Sequence, residues 1–396
     1  MPLNNPLSPE MRELVRAQLS RRGVIAGVGG LGAVGLLAAC GTSSDTDATP
    51  TAPTSGGPVR WANWTLYLDY DSDAKNYPTL DAFTAESGIK VKYQEDVDDN
   101  DSFYGKVQGQ LKLGQDIGYD IVTLTDWMAG RWIRLGYTQQ LDAANIPNKA
   151  NILDKLATVG FDNGRNNSLT WQSGFAGFGW NKEKLPNGIK TVEQLFAPAN
   201  KGKIEVLSEM RDTMGIILQY QGVDIESNFT EADFMNGVDY LQKMISDGFI
   251  RKVVGNSYKE DLISGDAVAV IGWSGDMFQL ATENEGKFDF AIPDSGGTLW
   301  SDNMMVPSTS TNKANAEKLM NYYYEPAVAA QVAAYVNYIC PVKGAQAEME
   351  KIDATLAASP YIFPTPETLL TTKVFRTLTP AEETTFTTAF QQATGN

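Results

Sequence analysis

Gly118-Tyr119-Asp120-Ile121-Val122-Thr123-Leu124-Thr125-Asp126-Trp127 is a short apolar run that passes directly into a hydroxyl, a carboxylate and an indole. Tyr119–Leu124 has the length and residue types of a buried strand, and the polar residues mark its carboxyl end. The pattern recurs on both sides. Upstream, Val59–Asn63 runs into Trp64-Thr65-Leu66-Tyr67, and Ile89–Tyr93 is a further strand. Helical spacing over Tyr77–Ser87 and Phe103–Leu113 separates these runs, with Gly88 placed as a C-cap. Downstream, strands are predicted near Phe175–Asn181, Lys203–Leu207 and Val268–Trp273, and helices over Met210–Gln221, Glu231–Asp247, Ala314–Tyr324 and Ala327–Val336. Strand–helix alternation of this kind predicts an α/β fold with largely parallel sheets. Ligands in such sheets bind beyond the carboxyl ends of strands. Two more of those ends carry the same chemistry, in Ser208-Glu209-Met210-Arg211-Asp212 and in Trp273-Ser274-Gly275-Asp276.

The composition narrows the chemistry. With 396 residues there is room for two lobes, and 42% hydrophobic residues provide a sizeable core. The formal charge is −16, and the four arginines among the first 39 residues against Glu10 and Glu13 leave −18 for the rest. Such a surface repels nucleic acid and accommodates cations. Histidine is absent, which excludes Ser-His-Asp and Cys-His catalysis and histidine-based metal sites. The cysteines are Cys40 and Cys340.

The first 39 residues read as an address. Ser20-Arg21-Arg22 opens the Gly-rich apolar run Val24–Ala39, which ends in Leu37-Ala38-Ala39-Cys40-Gly41. The paired arginines fit a twin-arginine export signal, and the 16-residue run is shorter than the ~20 residues of a membrane-spanning helix. Leu-Ala-Ala-Cys-Gly resembles a bacterial lipobox, which implies cleavage before Cys40 and its lipidation. Residues 40–58 then form a Ser/Thr/Pro/Asp/Gly tether, too poor in apolar groups to fold. Cys340 is left as a small core residue.

A protonated polyamine has ammonium ends on a methylene chain, so its binding needs carboxylates and aromatic faces. Trp64, Tyr67, Trp127, Trp273, Trp300 and Tyr338 offer the faces, and Glu209, Asp212 and Asp302 the carboxylates. The order of Asn63-Trp64-Thr65-Leu66-Tyr67, Glu86-Ser87-Gly88-Ile89-Lys90-Val91, Gly118-Tyr119-Asp120-Ile121-Val122, Ala269-Val270-Ile271-Gly272-Trp273-Ser274-Gly275 and Gly296-Gly297-Thr298-Leu299-Trp300-Ser301-Asp302-Asn303 resembles the bacterial spermidine/putrescine-binding proteins of ABC importers. The likeness covers residues 59–396. It implies a two-lobed periplasmic-binding-protein-like fold of type II, each lobe a mixed sheet flanked by helices, with the ligand cleft between lobes. It implies lobe one at 59–173 with 303–345, and lobe two at 174–302 with 346–396. The ligand-binding positions that it carries over are Trp64, Thr65, Tyr67, Thr125, Trp127, Glu209, Asp212, Trp273, Trp300, Asp302 and Tyr338. Two positions depart from the family: Leu66 stands where a Glu is frequent, and Phe375 where a Gln is. The resemblance, taken with the lipobox-like segment, the missing histidines and the acidic charge, leads to the expectation of an extracytoplasmic, lipid-anchored, monomeric solute-binding protein that hands a polyamine to a membrane permease, with no enzymatic activity, cofactor, metal or nucleic-acid partner.

Other chemistries find less support. Asp96-Val97-Asp98-Asp99-Asn100-Asp101 starts like a calcium loop, but the sixth position is Asp101 rather than Gly and the twelfth Val107 rather than Glu. Ser72-Asp73-Ala74-Lys75 with Ser301-Asp302-Asn303 imitates two elements of a serine hydrolase, while the Lys-Thr-Gly element is missing. Tyr322-Tyr323-Tyr324 is similar to the tyrosine pair of ferric-ion-binding proteins, a reading that keeps the same fold.

Overall fold

The computed structural model describes residues 57–97, 100–255 and 257–395. The export signal, Cys40 and nearly all of the tether lie outside the described residues. The strands are β1 (Val59–Trp64), β2 (Val91–Val97), β3 (Ile121–Thr125), β4 (Ser168–Asn181), β5 (Ile204–Leu207), β6 (Ile250–Val254), β7 (Ala269–Trp273), β8 (Phe288–Ala291), β9 (Gly297–Met305) and β10 (Thr372–Lys373). The longer helices are α1 (Pro78–Ser87), α2 (Asn100–Lys112), α3 (Asp126–Arg134), α4 (Met210–Tyr220), α5 (Glu231–Ser246) and α6 (Tyr258–Ser264). They continue with α7 (Ser274–Glu283), α8 (Lys313–Tyr323), α9 (Pro326–Val336), α10 (Ala345–Ile352) and α11 (Pro380–Thr394).

Local sequence accounts for the helix ends. Pro78 opens α1, and Gly88 closes it in the left-handed region at φ 71° with its N–H on Thr84. Thr230 with Asp233 and Thr379 with Glu382 form reciprocal capping boxes on α5 and α11. Phe103, Val107 and Leu111 recur one turn apart on α2 and are all buried, which fixes its inward face. Phe386 of α11 stacks on Phe234 of α5 with ring centroids 4.0 Å apart, tying the C-terminal helix down.

One continuous sheet path runs β2-β1-β3-β9-β4-β7-β5-β6. Its two ends are parallel, β1 with β2 and β3, and β5 with β6 and β7. The middle is antiparallel: β9 opposes β3 and β4, and β4 opposes β7 and β8. The prediction of largely parallel sheets is therefore corrected to two parallel ends joined by antiparallel strands. β4 and β9 belong to both halves. β4 is buried throughout, pairing early with the end of β9 and late with β7 and β8. The molecule is an α/β protein of two lobes linked by these shared strands.

The strand predicted at Ile89–Tyr93 begins at Val91 and ends at Val97, and the one predicted at Phe175–Asn181 begins at Ser168. The early half of β4 is polar (Ser168, Thr170, Gln172, Ser173), so apolar patterning missed it. Several of those side chains are satisfied inside the sheet; Thr170 accepts from the buried Arg165 Nη2 at 2.8 Å.

Candidate functional site

Every residue carried over from the sequence lines one cavity of about 840 Å³. Trp64, Thr65 and Tyr67 come from the end of β1 and the turn after it. Thr125 ends β3 and Trp127 lies in the first turn of α3. Glu209 and Asp212 come after β5, Trp273 ends β7, Trp300 and Asp302 lie within β9, and Tyr338 comes after α9. Strand ends from both halves of the sheet thus converge on one cleft, as expected for such sheets.

Asp302 is 5% exposed. Its Oδ2 accepts from Tyr67 Oη and its Oδ1 from Thr125 Oγ1, each at 2.7 Å. Burial, reinforced by the charges of Asp126 and Asp212, pushes its carboxyl up to about 7. Asp212 accepts from Trp273 Nε1 and from Thr298 Oγ1, also at 2.7 Å, and burial raises it as well. Glu209 caps α4 by accepting from the Arg211 backbone N–H. Burial raises Glu209 too, but 31% of its side chain faces water, which softens the effect, and Arg211 opposes it. Asp126, raised by burial to about 6, accepts from Asn303 Nδ2 and the Ser301 backbone N–H.

The aromatic faces are held by neighbours without side chains. Strand alternation puts Thr298, Trp300 and Asp302 on one face of β9. Trp300 pairs across the sheet with Gly174, where a Cβ would overlap the indole. Tyr338 packs edge-on against Trp300 at 5.3 Å and against Tyr67 at 5.9 Å, and its ring lies where a Cβ on Gly275 would stand. The glycines are therefore required by close approach.

The structure adds groups that sequence reasoning did not assign to the site. Arg211 and Arg131 lie 4.6 and 5.0 Å from the Trp127 ring. Glu383 of α11 joins them, 3.1 Å from Arg211 Nη2 and 3.2 Å from Arg131 Nη2, with Arg134 at 3.5 Å. Asp276, 4% exposed, accepts from Tyr258 Oη at 2.8 Å and pairs with Lys259 Nζ at 3.0 Å. Asp276 and Arg211 do stand in the strand-end runs quoted above, but nothing in the sequence shows which charge each one meets.

The remaining motifs lie elsewhere. Tyr322, Tyr323 and Tyr324 are buried core residues, Tyr324 donating to the Thr170 carbonyl at 2.8 Å, so the ferric reading loses its ligands. Ser72 sits in a turn closed by the Asp71–Asn76 bridge and does not line the cleft, whereas Asp302 of Ser301-Asp302-Asn303 does. Asp96 accepts from Tyr119 Oη at 2.6 Å, Val97 ends β2 and Asn100 begins α2, so the acidic run is not one loop. Asp98 and Asp99 lie outside the described residues. Leu66 lines the cleft at φ 60°, with its N–H on Glu95 Oε1 at 3.0 Å, and Phe375 lines it edge-on to Phe229. Cys340 is buried in the core, as the sequence predicts.

Two lobes and a cleft walled by indoles and buried carboxylates define a binding protein rather than an enzyme. The chain belongs to the family of bacterial extracellular solute-binding proteins, whose model matches residues 79–362. It is 26% identical over 311 residues to the spermidine/putrescine-binding periplasmic protein of Escherichia coli, covering 78% of this chain and 83% of that one. It is 27% identical over 322 residues to the putrescine-binding periplasmic protein PotF of the same organism, covering 76% and 82%. Among solved structures, it is similar to the spermidine/putrescine ABC transporter substrate-binding protein PotD of Streptococcus pneumoniae, with a TM-score of 0.73 and 24% identity, covering 85% of this chain and 98% of that one.

Proposed function

We propose that this chain captures a small polyamine outside the cytoplasmic membrane and delivers it to an ABC importer. One observation carries the reading: Asp302 and Asp212 are buried, hydrogen-bonded by uncharged donors, and stand on either side of Trp300. Two buried carboxylates held only by uncharged donors are costly, and an ammonium at each end of a methylene chain relieves that cost. The aromatic faces of Trp300 and Tyr338 suit the methylenes. The relatives named for spermidine and putrescine support the same ligand class.

The proposed site consists of Trp64, Thr65, Tyr67, Thr125, Trp127, Glu209, Asp212, Trp273, Trp300, Asp302 and Tyr338. The proposed lobes are 59–173 with 303–345 and 174–302 with 346–396, the first two crossings falling in β4 and β9. The packing of α10 on α9 supports placing the third crossing a few residues after 345. Closure is driven by contacts made better in the closed state, and the closed monomer then docks on the permease. The lipobox-like Leu37–Gly41 supports anchoring through Cys40, and Cys40→Ala should release the protein from membranes or leave it uncleaved.

A thermal-shift panel of putrescine, cadaverine, spermidine, sugars and amino acids tests the ligand class. A bound amine at one hundred times its Kd should add about 2.7 kcal/mol of stability. Stabilisation by a sugar or a neutral amino acid, with none by any amine, would refute the reading.

A further inference from the structure

We infer that Lys259 is a specificity-determining residue: its ammonium occupies the third carboxylate of the cleft, Asp276, and so sets the site for a ligand with two positive charges rather than three. The inference rests on the polyamine reading above. Asp302, Asp212 and Asp276 are buried carboxylates around the Trp300–Tyr338 pair. Asp302 and Asp212 take their hydrogen bonds from hydroxyl and indole donors. Asp276 differs, because Lys259 Nζ stands 3.0 Å from its Oδ1 while Tyr258 Oη holds Oδ2 at 2.8 Å. Tyr258 in turn accepts from the Trp273 backbone N–H at 3.0 Å, so adjacent residues at the start of α6 seat both donors against the first turn of α7.

Both Lys259 and Asp276 line the cleft, and the Lys259 side chain is only 20% exposed. The pair is therefore a protein ammonium standing in a position that a ligand ammonium would otherwise take. The other acids facing the cleft are matched by protein cations as well: Glu209 is 3.9 Å from Arg211, Glu383 is shared by three arginines, Asp101 is 2.9 Å from Arg131, and Asp126 feels the charge of the buried Arg165, to which it is linked through Asn303. Among the described residues, Asp302 and Asp212 remain for two ammonium groups. A third ammonium would be desolvated beside Lys259 with no carboxylate left to receive it.

Calorimetric titration of putrescine and spermidine into the wild-type protein and into Lys259→Met and Lys259→Gln tests this. Wild type should bind putrescine at least as tightly as spermidine. In either variant the affinity ratio should move toward the triamine by at least about tenfold, the low end for a buried charge pair. Lys259→Arg should keep the wild-type ratio, and Lys259→Met combined with Asp276→Asn should return to it, since the freed carboxylate is then gone. A strong wild-type preference for spermidine overturns the inference whatever the variants do. So does a ratio unmoved in a folded Lys259→Met protein, or a double variant that keeps the shifted ratio. Wild type binding neither amine defeats the polyamine reading as well, whereas binding with an unmoved ratio defeats the role of Lys259 alone.

Discussion

Asp302→Asn should make the empty protein more stable while abolishing most of its affinity, and the size of both effects is set by the surroundings of the carboxyl. Asp302 ionises near 3.8 when unfolded and, under burial, at about 7 when folded. Between those values the folded state holds more protons than the unfolded one, so this group makes stability fall as pH rises. At 1.36 kcal/mol per tenfold, the penalty reaches about 4 kcal/mol by pH 8 and vanishes below pH 4. The amide is isosteric, uncharged, and can exchange hydrogen bonds with the Tyr67 and Thr125 hydroxyls. Denaturant unfolding of ligand-free protein should therefore show the variant more stable by up to about 4 kcal/mol at pH 8, with the difference shrinking toward pH 4. Amine binding at pH 8 should weaken by thirty-fold or more, since 2–5 kcal/mol is typical for one partner of a buried charge pair. In the wild type, binding must first ionise the carboxyl, so affinity should fall about tenfold from pH 8 to pH 6, with proton release on binding. A variant equally destabilised at pH 4 and pH 8, or one that binds amines normally, would show that Asp302 is structural.

Glu383→Gln removes the anion shared by Arg131, Arg134 and Arg211, leaving three clustered guanidinium groups with Asp101 and Glu209 as their remaining carboxylate partners. It should weaken ligand binding by about tenfold, and small-angle scattering of the liganded variant should show a more open molecule. Gly275→Ala is harmless to the first turn of α7 but displaces the Tyr338 ring. It should cost affinity in calorimetry while leaving the melting temperature within a few degrees of wild type. Burial pushes the Cys340 thiol up to about 12, so thiol reagents should label it only at the rate of unfolding.

Much of this was legible because strand ends carry the site. Trp64, Trp127, Asp212 and Trp273 each stand at or just beyond the end of an apolar run that reads as a strand, and a parallel sheet gathers the residues beyond its strand ends into one crevice. The two joining strands were less visible. Gly297–Met305 carries Thr298, Ser301, Asp302 and Asn303 among its nine residues and shows as a motif rather than a strand, and the first half of β4 hides its burial behind side chains that hydrogen-bond within the sheet. The pairings of Lys259 with Asp276 and of Glu383 with Arg131, Arg134 and Arg211 span up to 252 residues of sequence, and no local pattern encodes them. Cation–aromatic contacts at Trp127 were expected from a ligand, and the protein's own guanidiniums make them.

The side chains of β9 that face the cleft stand at fixed intervals. At roughly 3.3 Å per residue, Thr298 and Asp302 are separated by about 13 Å of backbone, with Trp300 halfway between. The strand is hydrogen-bonded on both sides for much of its length, so that spacing cannot stretch or shrink without breaking the sheet. It is a ruler whose graduations are set by peptide geometry. Descendants of this chain that come to prefer another ligand have little freedom to alter the scale. They must change the side chain written at each mark, which makes the chemistry of a few residues, rather than the shape of the fold, the material on which selection for new cargo acts.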